Sequence, residues 1–192
     1  DVVGTPLDVI ASGPTVPDQS TFGDAWAVLQ RYGIANQAPV GVAVHLRRGL
    51  AGEIPDTPKP GDPLFDRVNN VVIGDNAIAG RAAVAQARRL GYHSMLLTTF
   101  VQGEAREVGR VVAGLAQGVA TGQSDIFMPA CLVLGGETTV TIRGSGLGGR
   151  NQELALSAAL ALGSYELPPG VQAAVVSLGT DGTDGPTNAA GG

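Results

Sequence analysis

Apolar residues recur along this chain with two periods, and their alternation predicts an α/β protein. Phe22, Trp26 and Leu29 stand at i, i+4 and i+7, one face of a helix that Ser20 or Thr21 can cap and Gly33 can end. A second helix is predicted over 39–50, with Pro39 near its first turn. Val71-Val72-Ile73 reads as a buried strand, Gly74-Asp75-Asn76 as a turn and cap, and the alanine-rich stretch 78–90 as a helix closed by Gly91. With a strand over 95–99, this makes a βαβ unit. A helix over 104–120 follows, with Val108, Val112, Leu115 and Val119 along one stripe. Strands are predicted over 130–134 and 138–142. Leu154, Ala158 and Leu162 mark a further helix, Pro168-Pro169-Gly170 breaks it, and 173–178 reads as a last strand. The fold class expected is α/β, three-layer, with mostly parallel sheets.

Composition agrees with this pattern. Apolar residues make up 44% of the chain and aromatic ones only 4%, so the core is aliphatic and alanine-rich, which suits parallel strands. Four prolines (Pro55, Pro58, Pro60, Pro63) and Gly61 punctuate 53–66, which reads as a linker. It would separate the tail of a first lobe, 1–66, from a second lobe, 67–192. The chain opens without a methionine inside a strand-like pattern and closes in a loop, so it reads as a piece of a longer protein, cut at both ends. The net charge of −5 and the absence of a basic block argue against nucleic acid as a partner. No apolar run spans a bilayer, and Cys131, the single cysteine, cannot form an internal disulfide, so a cytoplasmic location is expected.

The chemistry concentrates in two loops that follow predicted strands, where ligands of open α/β sheets gather. In the first, Gly144, Gly146, Gly148 and Gly149 crowd a turn that runs directly into Arg150 and a helix. Such a loop exposes backbone N–H groups beside a positive helix terminus, and a guanidinium adds charge, which together can hold phosphate. Glu137, Thr138 and Asn151 flank it as further phosphate- or nucleotide-binding candidates. The alternatives are a turn needed only for packing and an Arg150 ion pair with Glu153 or Glu137. Gly144, Gly146 and Gly149 also fit G-x-G-x-x-G, but a dinucleotide fold requires an acid at the end of the next strand. Glu166 has roughly that spacing and lies in a loop instead, so the dinucleotide reading fails its context. In the second loop, 179–186, Asp181 and Asp184 could hold Mg²⁺ or accept a substrate proton, or simply make local turn bonds. Ser12, Gly13 and Thr15 could line a cleft, or do ordinary turn work. His45 and His93 have no second ligand at metal spacing.

The run GGETTVTIRGSGLGGRNQELAL, followed by SLGTDGTDGPTNAAG, resembles the signature of the glycerate kinase family of the MOFRL type. DVVGTPLDVIASGPTVPD and NVVIGDNAIA resemble it too, so the likeness runs in four blocks over nearly the whole chain. The resemblance implies two α/β lobes with the site in the cleft between them, and a MOFRL-like segment from about residue 125. It implies ATP-dependent phosphorylation of D-glycerate to 2-phosphoglycerate, with ATP and Mg²⁺ as cofactors. Arg150 and the 179–186 loop would match site positions, and under this kinase reading the substrate would meet the Ser12–Thr15 turn or the lobe upstream of this chain. The family's chains are about twice this length, a two-domain size, with a site lysine upstream of Asp1, and a homodimer is compatible with the resemblance. Related sequences are often labelled hydroxypyruvate reductase, so an NAD(P)H-dependent reductase is the alternative enzyme, and a non-catalytic phosphate-binding half is the third reading.

Overall fold

The computed structural model describes residues 2–192 and divides into two compact units. The smaller one is Thr5–Val72. Its helices are α1 (Phe22–Arg31) and α2 (Val40–Leu50). Thr21 starts α1 through a reciprocal capping box: its hydroxyl accepts from Asp24 N at 3.2 Å, and Asp24 Oδ2 accepts from Thr21 N at 2.8 Å. Gly33, at φ +67°, follows the helix end in the left-handed conformation that glycine favours. The two helices close at Gly49, where any Cβ would sit inside the Phe22 ring. That ring meets His45 edge-on, at 5.4 Å between centroids. The proline-rich stretch is tied to the start of α1: Asp18 N donates to Pro58 O at 3.1 Å and Thr57 Oγ1 to Asp18 Oδ2 at 2.9 Å.

The larger unit holds Ile73–Gly192. Strands β1 (His93–Glu104) and β2 (Ala130–Thr139) pair in parallel, from His93 opposite Ala130 to Glu104 opposite Thr139. Helix α4 (Ala105–Ala120) connects them, as a parallel pair requires. Helix α3 (Asn76–Arg89) precedes β1, and its N-cap Asp75 accepts from Ile78 N at 2.6 Å. The two helices cover opposite faces of the sheet. Leu96 points to α3, where a Cβ on Gly80 would fall 2.7 Å from it. Leu97 and Leu132 face α4 across a cavity of about 410 Å³ that Gly114, Leu115 and Gly118 also line. Helix α5 (Arg150–Gly163) lies along α4, which completes the expected three-layer α/β arrangement.

Three strand expectations differ, for one reason. Val71–Ile73 carries no ladder and is exposed, Ile73 at 92%. Residues 173–178 form no ladder either, although their exposure alternates as one face of an extended segment would; only the end is paired, where Ser177 exchanges two backbone hydrogen bonds with Gly192 and Leu178 forms an isolated antiparallel bridge with Gly191. Residues 140–142 lie beyond the last β1 position, because β1 gives way to α4 after Glu104. A strand exists only with a neighbouring strand to satisfy its N–H and C=O groups, and among the described residues none of these segments lies beside a second strand.

The burial on α4 also differs from the predicted stripe. Its most enclosed positions are small: Ala105 at 0% and Ala113 at 1% exposure, with Gly109 between them. Gly109 meets Ala158 of α5, itself at 0% exposure. A Cβ on Gly109 would come within 2.5 Å of Leu154 O, so the helices touch backbone to backbone. Ser157 Oγ donates to Arg106 O at 2.6 Å across this seam, and Arg106 Nε and Nη2 both lie 2.8 Å from Glu153 Oε1. Gly109→Ala should therefore destabilise the intact protein by about 1–3 kcal/mol, the cost of overpacking a close contact. Gly114→Ala, with nothing within 4 Å of the new methyl, should be neutral or stabilising by up to about 1 kcal/mol. Urea unfolding followed by circular dichroism separates the two.

Candidate functional site

The parallel sheet ends at Thr139, and the chain then crosses to α5 through the glycine loop. Both ends of this loop are held by carboxylates. At the near end, Glu104 accepts from Thr141 N at 3.2 Å and from Thr141 Oγ1 at 2.7 Å. The Thr141 hydroxyl and amide, in that order, keep the Glu104 carboxyl below the usual carboxylate range.

At the far end, α5 begins after Gly149, whose backbone is extended and which has no side chain to cap the helix. The first-turn N–H groups need another acceptor. Asp184, thirty-three residues beyond Asn151, provides it: Oδ1 accepts from Asn151 N at 3.0 Å and Oδ2 from Gln152 N at 2.9 Å. Asn151 Nδ2 adds a third bond to Oδ1 at 3.1 Å, and Ser177 Oγ donates to Asn151 Oδ1 at 2.8 Å. The Asp184 carbonyl accepts from Thr187 Oγ1 at 2.8 Å, and Gln152 Nε2 reaches the same hydroxyl at 3.0 Å. Asp184 is 2% exposed. Burial pushes its carboxyl up, but the Asn151 and Gln152 N–H groups outweigh that and hold it below the ordinary range.

Glycine makes this fit possible. A Cβ on Gly149 would lie 2.3 Å from the Asp184 carboxyl carbon. Gly185 turns left-handed at φ +61°, and a Cβ there would meet Gly148 O at 2.2 Å. The remaining glycines are different. Gly144, Gly146 and Gly148 have nothing within 4 Å of a would-be Cβ and no left-handed φ. Among the described residues, no backbone N–H from Ile142 to Gly149 donates a hydrogen bond. Residues 141–147 are exposed.

Arg150 closes the loop and forms an ion pair with Glu137 of β2, one of the two partners weighed from sequence. Thr138, next to Glu137, is half-buried on the strand. Asp181 is exposed, and its Oδ1 accepts from Thr183 N at 3.0 Å. That N–H, with a smaller contribution from the Arg150 charge, lowers the Asp181 carboxyl. Glu137, Arg150 and Asp181 thus form one charged group beside the open loop. Asp184 and Asn151 take structural roles, since their polar atoms are spent on α5 and Ser177. Ser12, Gly13 and Thr15 lie in the smaller unit. Ser12 is left-handed at φ +64°, and the Thr15 hydroxyl donates to Asn70 Oδ1.

Among the described residues, no three His, Cys, Asp or Glu side chains are arranged to hold a metal. The donor set does not fit a dedicated Mg²⁺ site: Asp184 is fully engaged, and Asp181 stands without a second carboxylate. Sequence reasoning missed Gln152, Ser177, Thr187 and Glu104. Gly149 carried the one available signal, because a glycine N-cap leaves amides to be satisfied from elsewhere.

Residues 130–192 match the MOFRL family, and residues 1–47 match a domain of unknown function (DUF4147). The whole chain is 45% identical to glycerate 2-kinase of Pyrococcus horikoshii and 42% identical to D-glycerate 2-kinase of Thermotoga maritima. It spans 42% of the length of each. The crystal structure of glycerate kinase from Thermotoga maritima superposes with a TM-score of 0.76 at 41% identity, over all of this chain and 42% of that one. No helix of the described residues is long and apolar enough to cross a membrane.

The Asp184 cap makes two predictions. Asp184→Ala and Gly149→Ala should each cost about 1–3 kcal/mol, since a buried donor pair loses its acceptor, and the double variant should cost less than the sum. A carboxyl held lower in the folded than in the unfolded protein stabilises above the ordinary aspartate value of about 3.9. That contribution is lost as pH falls through the lowered value. The wild type should therefore lose its advantage over Asp184→Ala on acidification below about pH 4, read by urea titrations from pH 7 to pH 3.

Proposed function

We propose that this chain, whose residues 130–192 are a MOFRL family domain, is part of a kinase that phosphorylates D-glycerate at the expense of ATP. The likeness to glycerate kinases of archaeal and bacterial origin over its full length supports the substrate. One observation carries the chemistry. The loop from Ile142 to Gly149 presents a run of backbone N–H groups unpaired among the described residues next to the Arg150 guanidinium, with Gly144, Gly146 and Gly148 at positions that neither packing nor backbone conformation demands. Amides left unmade within the chain are available to a ligand's phosphate oxygens.

In this reading the loop amides hold the nucleotide's phosphates. Arg150 donates to the transferring phosphoryl group, whose charge spreads over its oxygens in the transition state. Glu137 keeps the guanidinium in place. Asp181, the exposed carboxylate of the second loop, orients the glycerate hydroxyl and takes its proton. Mg²⁺ brought by the nucleotide would supply further charge neutralisation at the phosphates, and Asp181, the exposed carboxylate of the second loop, would be the residue here to approach it. The amides of Asn151 and Gln152 take no part, because Asp184 occupies them. Catalysis is mainly positioning and charge neutralisation, and the reaction belongs in the cytoplasm, where ATP is supplied.

Glycerate-dependent release of ADP by the intact protein tests the reading, with NADH oxidation by hydroxypyruvate as the parallel assay. We expect ADP only when glycerate is present and no NADH consumption. Arg150→Ala should lower kcat by about 10²–10³-fold, the loss seen when one transition-state donor is removed. ADP release indifferent to glycerate would overturn the substrate, and an unchanged kcat in Arg150→Ala would overturn the role of that arginine.

A further inference from the structure

The glycine loop is a strap fixed at its two ends and free between them. Glu104 pins Thr141 through two hydrogen bonds, and the Asp184 carboxylate, wedged against Gly149, pins the start of α5. Between those points the span is exposed, including Ile142 at 85% and Leu147 at 80%. Its N–H groups are unpaired among the described residues, and a Cβ on Gly144, Gly146 or Gly148 would stand in open space. Glycines in this setting keep the backbone adaptable and leave it bare of side chains.

Two arginines flank the span, and they are not equivalent. Arg150, at the fixed end, is already engaged by Glu137. Arg143 lies two residues past the Glu104 tether, is exposed, and forms no ion pair among the described residues. A guanidinium on a bare strap beside unpaired amides has every donor available to a phosphate, and its planar fork suits two phosphate oxygens at once.

We propose that Arg143 is a second phosphate-binding cation: the strap carries it onto the nucleotide's polyphosphate, where it contributes to binding while Arg150 serves the transition state. This rests on the kinase reading above and adds a division of labour between the two arginines. Arg143 binds ground state and transition state alike, so its loss raises KM for ATP and spares kcat, whereas loss of Arg150 lowers kcat. Glu104 acts through the strap as a positioning residue. It touches Thr139 and Thr141, not the ligand, and sets how far from the sheet Arg143 is carried.

The test is steady-state kinetics of the intact protein, with ATP and glycerate varied separately, on wild type, Arg143→Ala, Arg143→Lys and Glu104→Gln. Arg143→Ala should raise KM for ATP about 10- to 100-fold, the effect of one lost charge-assisted partner, with kcat within about 3-fold of wild type and KM for glycerate unchanged. Arg143→Lys should recover part of the loss, since it restores the charge without the fork. The gap between wild type and Arg143→Ala should narrow at high salt. Glu104→Gln should raise KM for ATP in wild type and have little effect added to Arg143→Ala. An unchanged KM for ATP in Arg143→Ala, a rise confined to glycerate, or a loss in kcat alone would each overturn the assignment. These outcomes need an active wild type, so they stand apart from failure of the kinase reading, which wild type alone would show by lacking glycerate-dependent ADP release. Arg143→Ala replaces an exposed loop side chain, and an unchanged urea midpoint confirms that folding is intact.

Discussion

The larger unit depends on one carboxylate. Asp184 is almost wholly enclosed and still charged, which is costly unless every oxygen finds a donor. It finds them at the start of α5, where helix geometry leaves amides without partners and the dipole favours negative charge. The helix and the carboxylate solve each other's problem. In doing so they fasten the segment that follows Leu178 to the helix that follows the glycine loop. Gln152, Thr187, Asn151 and Ser177 extend this contact into a network with its hydrogen bonds made. Glycine at 149 and 185 is what lets the two backbones come close enough.

This arrangement divides the N-terminal region of α5 into two zones. The Asn151 and Gln152 amides belong to the fold. The amides from Ile142 to Gly149 have no acceptor among the described residues. A helix N-terminus preceded by a glycine-rich loop usually suggests that helix amides hold phosphate. Here an internal carboxylate already holds that place, and the anion site we propose lies further out, on the loop and its flanking arginines. Arg150 is poised at the border, with Glu137 on one side and the Asp181 loop within electrostatic reach.

Local physics made the helices legible from sequence. The Thr21–Asp24 box, the Asp75 cap and the left-handed Gly33 and Gly91 each act within a few residues of their helix. Strands were legible only where the chain contains both partners. Residues 95–99 and 130–134 were found because β1 and β2 pair with one another, while 71–73 has no neighbouring strand among the described residues and 173–178 only a single bridge, at Leu178 with Gly191. The glycine loop, Arg150 and its Glu137 alternative were visible as a compact motif. The role of Asp184 was not, because the bond that defines it crosses thirty-three residues and leaves no periodic trace. The small-residue seam between α4 and α5 was hidden for a related reason: hydrophobic periodicity weights Val and Leu, whereas close helix contact selects Ala and Gly.

Residue-resolved amide hydrogen exchange on the intact protein, without ligand and then with ATP, tests the division of the α5 N-terminus most directly. The account predicts that Asn151 and Gln152 are protected in both states. It predicts that the amides of Gly144 to Gly149 exchange freely without nucleotide and slow when ATP is added. Asn151 and Gln152 exchanging as fast as the loop, and gaining protection only with ATP, would contradict it and return the helix terminus to the ligand.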